Sequence, residues 1–126
     1  MNPVTTGGSG EMDGDDIQFL DSDAALDQVL QLPRVFLYKH STRCGTSLRA
    51  LMEVERFARS GTGIPVFGID VVRHGSLSNE AAVRLGVRHQ SPQAILIEEG
   101  TPVWHASHSS ITASTLEETA QERIRS

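Results

Sequence analysis

Cysteine occurs once in this 126-residue sequence, at Cys44, so no disulfide can form within the chain. A single thiol fits a reducing compartment, and a cytoplasmic location is expected. Positive charge is also scarce, with 11 Lys and Arg against 16 Asp and Glu. Four of the acids, Glu11, Asp13, Asp15 and Asp16, lie at the N-terminus, and no basic stripe follows that would track a phosphate backbone. Nothing approaches the run of roughly 18 apolar residues that a membrane helix needs. No basic start precedes an apolar stretch, so no secretory signal is expected. These absences exclude nucleic acid and membrane as expected partners. No internal repeat is present, and a monomer is expected.

The chain divides by composition. Residues 1–18 hold Gly7, Gly8, Gly10, Gly14 and the four acids, with little to bury, and read as a disordered acidic tail. Residues 19–126 read as one domain. Ser22 is placed to cap a helix bearing Leu26, Val29 and Leu30. Pro33 ends it, and residues 35–38 form a short buried strand. From Ser47 the period becomes helical, with Ala50, Leu51, Val54, Phe57 and Ala58 on one face. Arg49 with Glu53, and Glu55 with Arg59, are spaced as i,i+4 pairs. A second strand is expected at 65–72. Ser78 then caps a helix carrying Ala81, Ala82 and Leu85, with Leu77 as a staple and Gly86 as its stop. Residues 94–97 and 103–105 form a hairpin around Gly100. Ser114 with Glu117 makes a capping box for a last helix bearing Leu116, Ala120 and Ile124.

The first strand–helix–strand unit forces two parallel strands with a helix across them. The second half adds a helix, a hairpin and a closing helix. An α/β fold follows, a four-stranded mixed sheet with helices on both faces, and this order resembles that of thioredoxin-like proteins.

Cys44 stands between the first strand and the helix that follows. A thiol there faces free N–H groups and the positive end of the helix dipole, which favour the thiolate. The thiolate is the attacking species in disulfide exchange. Lys39 and Arg43 add positive charge nearby. The alternative for a lone cysteine is an inert core residue, which the polar neighbours on both sides disfavour. Ser47, one turn on, either donates a hydrogen bond to the sulfur or is an ordinary first-turn residue. Ser91-Pro92 precedes the third strand. Proline is allowed at a strand entry for its own sake. The thioredoxin-like resemblance implies more: a cis proline beside the active cysteine, exposing the backbone of Ser91 to pair with a peptide-like ligand. Five histidines raise the question of zinc. A closed site needs four ligands and one cysteine is available, so His40, His105 and His108 are expected to hold no metal. His74 and His89 receive no role.

These residues also carry a family resemblance. His40-Ser41-Thr42-Arg43-Cys44 with Ser47, Leu77-Ser78-Asn79, the stretch from Gly86 through His89 to Ser91-Pro92-Gln93, and Val103-Trp104-His105-Ala106-Ser107-His108 resemble the monothiol bacilliredoxins, the YtxJ-like bacillithiol-system proteins. The resemblance spans residues 19–111. It implies removal of bacillithiol, a cysteine–glucosamine–malate thiol, from mixed disulfides on cytosolic proteins. Cys44 is then the nucleophile and Pro92 the cis proline. Lys39, Arg43 and Arg88 are the cations placed in sequence to meet the malate carboxylates; solvated surface charge is the alternative for Arg43 and Arg88. No permanently bound cofactor is implied, and bacillithiol is the co-substrate. Gly45 and Thr46 depart from the family, which more often has proline and an aliphatic residue there. Cys44-Gly45-Thr46-Ser47 is also one residue from the Cys-Gly-Phe-Ser motif of monothiol glutaredoxins. That likeness implies a [2Fe–2S] carrier in which two subunits and two small thiols hold the cluster. A thiol-binding module without turnover is the third reading.

Overall fold

The computed structural model describes residues 17–43 and 45–125. Most of the expected acidic tail therefore lies outside the described residues. Ile17 and Gln18, assigned to that tail from sequence, belong to the fold, and Ile17 is buried in the core. The elements in chain order are β1 (Gln18–Phe19), α1 (Asp23–Leu30), β2 (Arg34–His40), α2 (Gly45–Ala58), β3 (Val66–Asp70), α3 (Gly75–Leu85), β4 (Gln93–Glu98), β5 (Thr101–Ser107), a single 3₁₀ turn at His108–Ser110, and α4 (Ala113–Arg125). No helix among the described residues is long and apolar enough to cross a membrane.

The sheet has five strands in the order β1-β3-β2-β4-β5, where four were expected. β1 pairs parallel with β3 through Gln18↔Phe67 and Phe19↔Gly68. Two residues carry no periodicity that sequence reasoning detects. The strand exists because Ile17 and Leu20 on either side of it are both buried, which lays the segment along the free edge of β3. Gly68 permits this closeness, for a Cβ there would meet the Phe19 ring at 2.8 Å.

Alternation along β2 sorts the core into two layers. Phe36 and Tyr38 face α2 and α4, packing with Ala50, Val54, Phe57, Leu116 and Ala120. Phe36 meets Phe57 edge to face at 5.0 Å, and burying a ring of this size stabilises by about 1.5–3 kcal/mol. Val35 and Leu37 face the other way, against Leu26 and Val29 of α1 and Leu77, Ala81 and Leu85 of α3. The parallel β2–β3 pair and the β4–β5 hairpin form as expected.

Helix starts differ from the sequence reading. Ser22 does cap α1, its hydroxyl accepting from the Ala25 N–H at 3.1 Å. Ser78 does not cap α3. Asp70 accepts from the N–H groups of Val72 and Arg73, the chain turns early, and the helix begins at Gly75 with His74 as its N-cap. Ser78 and Leu77 are therefore both buried inside the helix. In α4 the cap is Thr112, whose hydroxyl accepts from the Thr115 N–H at 3.1 Å, and Ser114 is exposed. Glu53 serves this helix start too, accepting from the Ala113 N–H at 2.8 Å. Its other oxygen meets Arg56 at 3.4 Å rather than Arg49. Ile124, expected on the apolar face, is exposed in the last turn.

The Phe19–Gly68 contact generates a test. Gly68→Ala should destabilise the protein by about 1–3 kcal/mol, the usual range for overpacking, seen as a lower urea midpoint. Because the atom met is a side-chain ring, adding Phe19→Leu should recover part of that loss. A neutral Gly68→Ala would show that β1 yields freely.

Candidate functional site

β2 and β4 run antiparallel with Lys39 opposite Gln93. The C-terminal end of β2 therefore lies beside the N-terminal end of β4. The turn that follows His40 leaves the sheet at the same end at which Ser91-Pro92 enters it. Cys44 itself, and with it the expected contact between its sulfur and Pro92, lies outside the described residues. The Ser91-Pro92 peptide bond is cis, and Pro92 is buried.

Ser47 is fully buried in the first turn of α2. Its hydroxyl accepts from the Ser41 N–H at 3.2 Å, which leaves the hydroxyl proton for another acceptor. Its carbonyl accepts the Tyr38 hydroxyl proton at 2.9 Å. Tyr38 oxygen also lies 3.0 Å from His40 Nδ1. With the one hydroxyl proton directed to Ser47, that second bond assigns Nδ1–H of His40 as donor. Burial pushes the His40 pKa down, opposed by the Asp70 carboxylate and by the Ser47 carbonyl. Tyr38 thus ties the middle of β2 to the start of α2. Arg43 is exposed, its backbone N–H donating to the Ser41 hydroxyl at 3.3 Å. Arg88 is exposed as well.

Lys39 departs from its expected role. Alternation sends it to the α3 face of the sheet, opposite to the face that α2 covers, and it is completely buried. Its ammonium donates to the Ser78 carbonyl at 3.1 Å and to His89 Nδ1 at 3.2 Å. It is engaged there and does not face a ligand. Desolvation lowers its pKa from 10.5 to about 8. His89 is likewise lowered, by burial and then by the Lys39 charge; its Nδ1 also lies 3.3 Å from the Ser78 hydroxyl.

Sequence reasoning missed the residues that hold the loop ahead of Pro92. Gln93, buried beside Lys39, donates to the Arg88 carbonyl at 3.0 Å and accepts from the Gln90 N–H at 3.4 Å. His108 donates its backbone N–H to the Pro92 carbonyl at 3.0 Å, and its Nε2 lies 3.1 Å from Gln90 Oε1. One signal was available: Lys39 and Gln93 each end a strand face whose next inward residue, Leu37 or Ile95, is apolar. Among the described residues no three of His, Cys, Asp and Glu come together as a metal-holding group.

The monothiol bacilliredoxin BrxC family profile matches residues 18–116. The chain belongs to the monothiol bacilliredoxin family. Its one cysteine agrees with the monothiol description. Among solved structures, the bacilliredoxin chain is similar to a protein with a thioredoxin fold, at 29% identity and a TM-score of 0.76, covering 83% of this chain and 93% of that one. It is also similar to thioredoxin from Trypanosoma brucei brucei, at 13% identity and a TM-score of 0.73, covering 87% and 92%. A mutant thioredoxin from Halobacterium salinarum NRC-1 matches at 18% identity and a TM-score of 0.69, covering 84% and 88%. The last two likenesses establish the fold, which is thioredoxin-like.

Burial of Lys39 predicts a pH dependence. Its folded pKa lies below its unfolded value, so between about 8 and 10.5 the unfolded chain holds a proton that the folded chain has released. Stability contributed by this group therefore rises with pH across that window. Lys39→Met removes the titration. The wild type should gain on the variant in urea midpoint as pH goes from 7.5 to 9.5. A gap that stays constant would show that the ammonium is not desolvated.

Proposed function

We propose that this protein is a thiol–disulfide exchange enzyme that removes bacillithiol from protein mixed disulfides in a reducing cytoplasm. The observation that carries this reading is the family match over 18–116 in a chain whose one cysteine directly precedes α2 in sequence. The Cys44 thiolate attacks the bacillithiol-side sulfur. A new S–S bond forms between Cys44 and bacillithiol, the old one breaks, and the client leaves as a thiolate. No second cysteine can resolve the product, so a further free thiol regenerates Cys44 and carries bacillithiol away as a disulfide. The 14-residue α2 favours the thiolate through its dipole. Ser47 supports the reading with a hydroxyl proton not spent on Ser41. Ser91 pairs with the ligand through its backbone, and the exposed Arg43 and Arg88 meet the malate carboxylates.

Intact mass tests this directly. Oxidised bacillithiol should add one bacillithiol mass to the wild type and none to Cys44→Ser. Ser47→Ala should slow the reaction without abolishing the adduct. Arg43→Ala or Arg88→Ala should weaken the preference over glutathione disulfide by at most roughly the 1.5–3 kcal/mol of a charged hydrogen bond. Protein that never forms the adduct, yet comes out brown and dimeric when made with iron and sulfide, would overturn the proposal.

A further inference from the structure

The loop over residues 88–92 is gripped from two sides, and one residue within it is left unspent. From the sheet, Gln93 holds the Arg88 carbonyl and the Gln90 N–H, while Lys39 holds the His89 ring. From the end of β5, His108 holds the Pro92 carbonyl through its N–H and meets the Gln90 side chain through its ring. Residues 88, 89, 90 and 92 each take part in these bonds. Ser91 is the exception: its hydroxyl oxygen is buried and has no hydrogen-bond partner among the described residues. A buried polar atom without a partner is costly. Ser91 lies between two fastened neighbours, Gln90 and Pro92.

Lys39 has a further property. It projects from β2, the strand that also leads into the turn before Cys44. Its side chain is enclosed between the sheet and α3 and cannot swing outward. Whatever loop atom it bonds is therefore set in place relative to the strand that carries the nucleophile's turn.

We propose that Lys39, acting through His89, and His108, acting through Gln90 and the Pro92 carbonyl, are positioning residues that present Ser91 to the backbone amides of a peptide-like ligand. This rests on the exchange reading above and names what sets the geometry of its substrate segment. The ligand class is an amide-bearing disulfide, whose N–H or C=O groups pair with Ser91.

The test compares two disulfides: a peptide carrying bacillithiol in mixed disulfide, and bis(2-hydroxyethyl) disulfide, which has no amide. His89 and His108 are exposed, so His89→Leu and His108→Ala leave the core intact. Each of them, and Lys39→Met, should raise KM for the peptide about tenfold with kcat little changed, as expected for one lost hydrogen bond. The rate with the amide-free disulfide should fall far less, and the pH midpoint of Cys44 alkylation should stay in place. His89→Gln should recover the peptide KM, because an amide oxygen also accepts from Lys39. Equal losses on both disulfides, or no loss on the peptide, would overturn the proposal. If the wild type exchanges neither disulfide, the functional reading fails by itself. Amide hydrogen exchange over 88–91 then still reports the grip: faster exchange in His89→Leu and Lys39→Met supports it, and unchanged exchange overturns it.

Discussion

The register of β2 against β4 is the constraint on which the site depends. Lys39 lies opposite Gln93, and Tyr38 opposite Ala94. This pairing puts the turn after His40 and Pro92 at the same end of the sheet. It also decides which face each side chain of β2 takes. A slip of one residue would exchange the two sets. Lys39 would enter the aromatic layer with Phe57, and Tyr38 would lose the Ser47 carbonyl. The apolar residues on both faces of the two strands, Val35, Phe36 and Leu37 against Ile95, Leu96 and Ile97, make such a slip costly on each side at once.

From that register, two consecutive residues of one strand reach the two halves of the site. Tyr38 reaches the first turn of α2 on one face. Lys39 reaches α3 and the loop before Pro92 on the other. The bonds to the Ser47 and Ser78 carbonyls are made where water is excluded, so leaving either unmade would cost more than it does at a surface. Ser47, Ser78 and Gln93 belong to the same arrangement, buried polar groups whose partners sit at this end of the sheet. The apolar layers supply the bulk of the stabilisation. The polar groups decide where the loop and the helix start are placed on top of it.

The far end of the sheet is organised by charge. Arg123 at the end of α4 and Arg34 at the start of β2 both donate to Glu98 at the end of β4. Those hydrogen bonds, the one from Arg123 first, hold the Glu98 carboxylate down to about 2. Exposed ion pairs of this kind contribute modestly one by one. Here one carboxylate joins two strands and the last helix, which fastens the C-terminal segment away from the site.

The sequence by itself determined an α/β fold with helices on both faces of a mixed sheet. The helical faces around Val54, Ala81 and Leu116, and the buried strand at 35–38, follow from periodicities of 3.6 and 2 that any core must satisfy. It also determined the position of the lone thiol directly before a helix, because glycine, proline and polar residues mark those boundaries locally. What only the tertiary structure decided concerns residues whose partners are distant in the chain. β1 exists through the free edge of β3. The start of α4 is shared by Thr112 and by Glu53 of α2. Lys39 is legible from its neighbours as a cation near a thiol, yet its role depends on Ser78 and His89, 39 and 50 residues away. Local pattern fixes which segments bury a face. The pairing of polar groups across that buried space is set only once the strands have chosen their register.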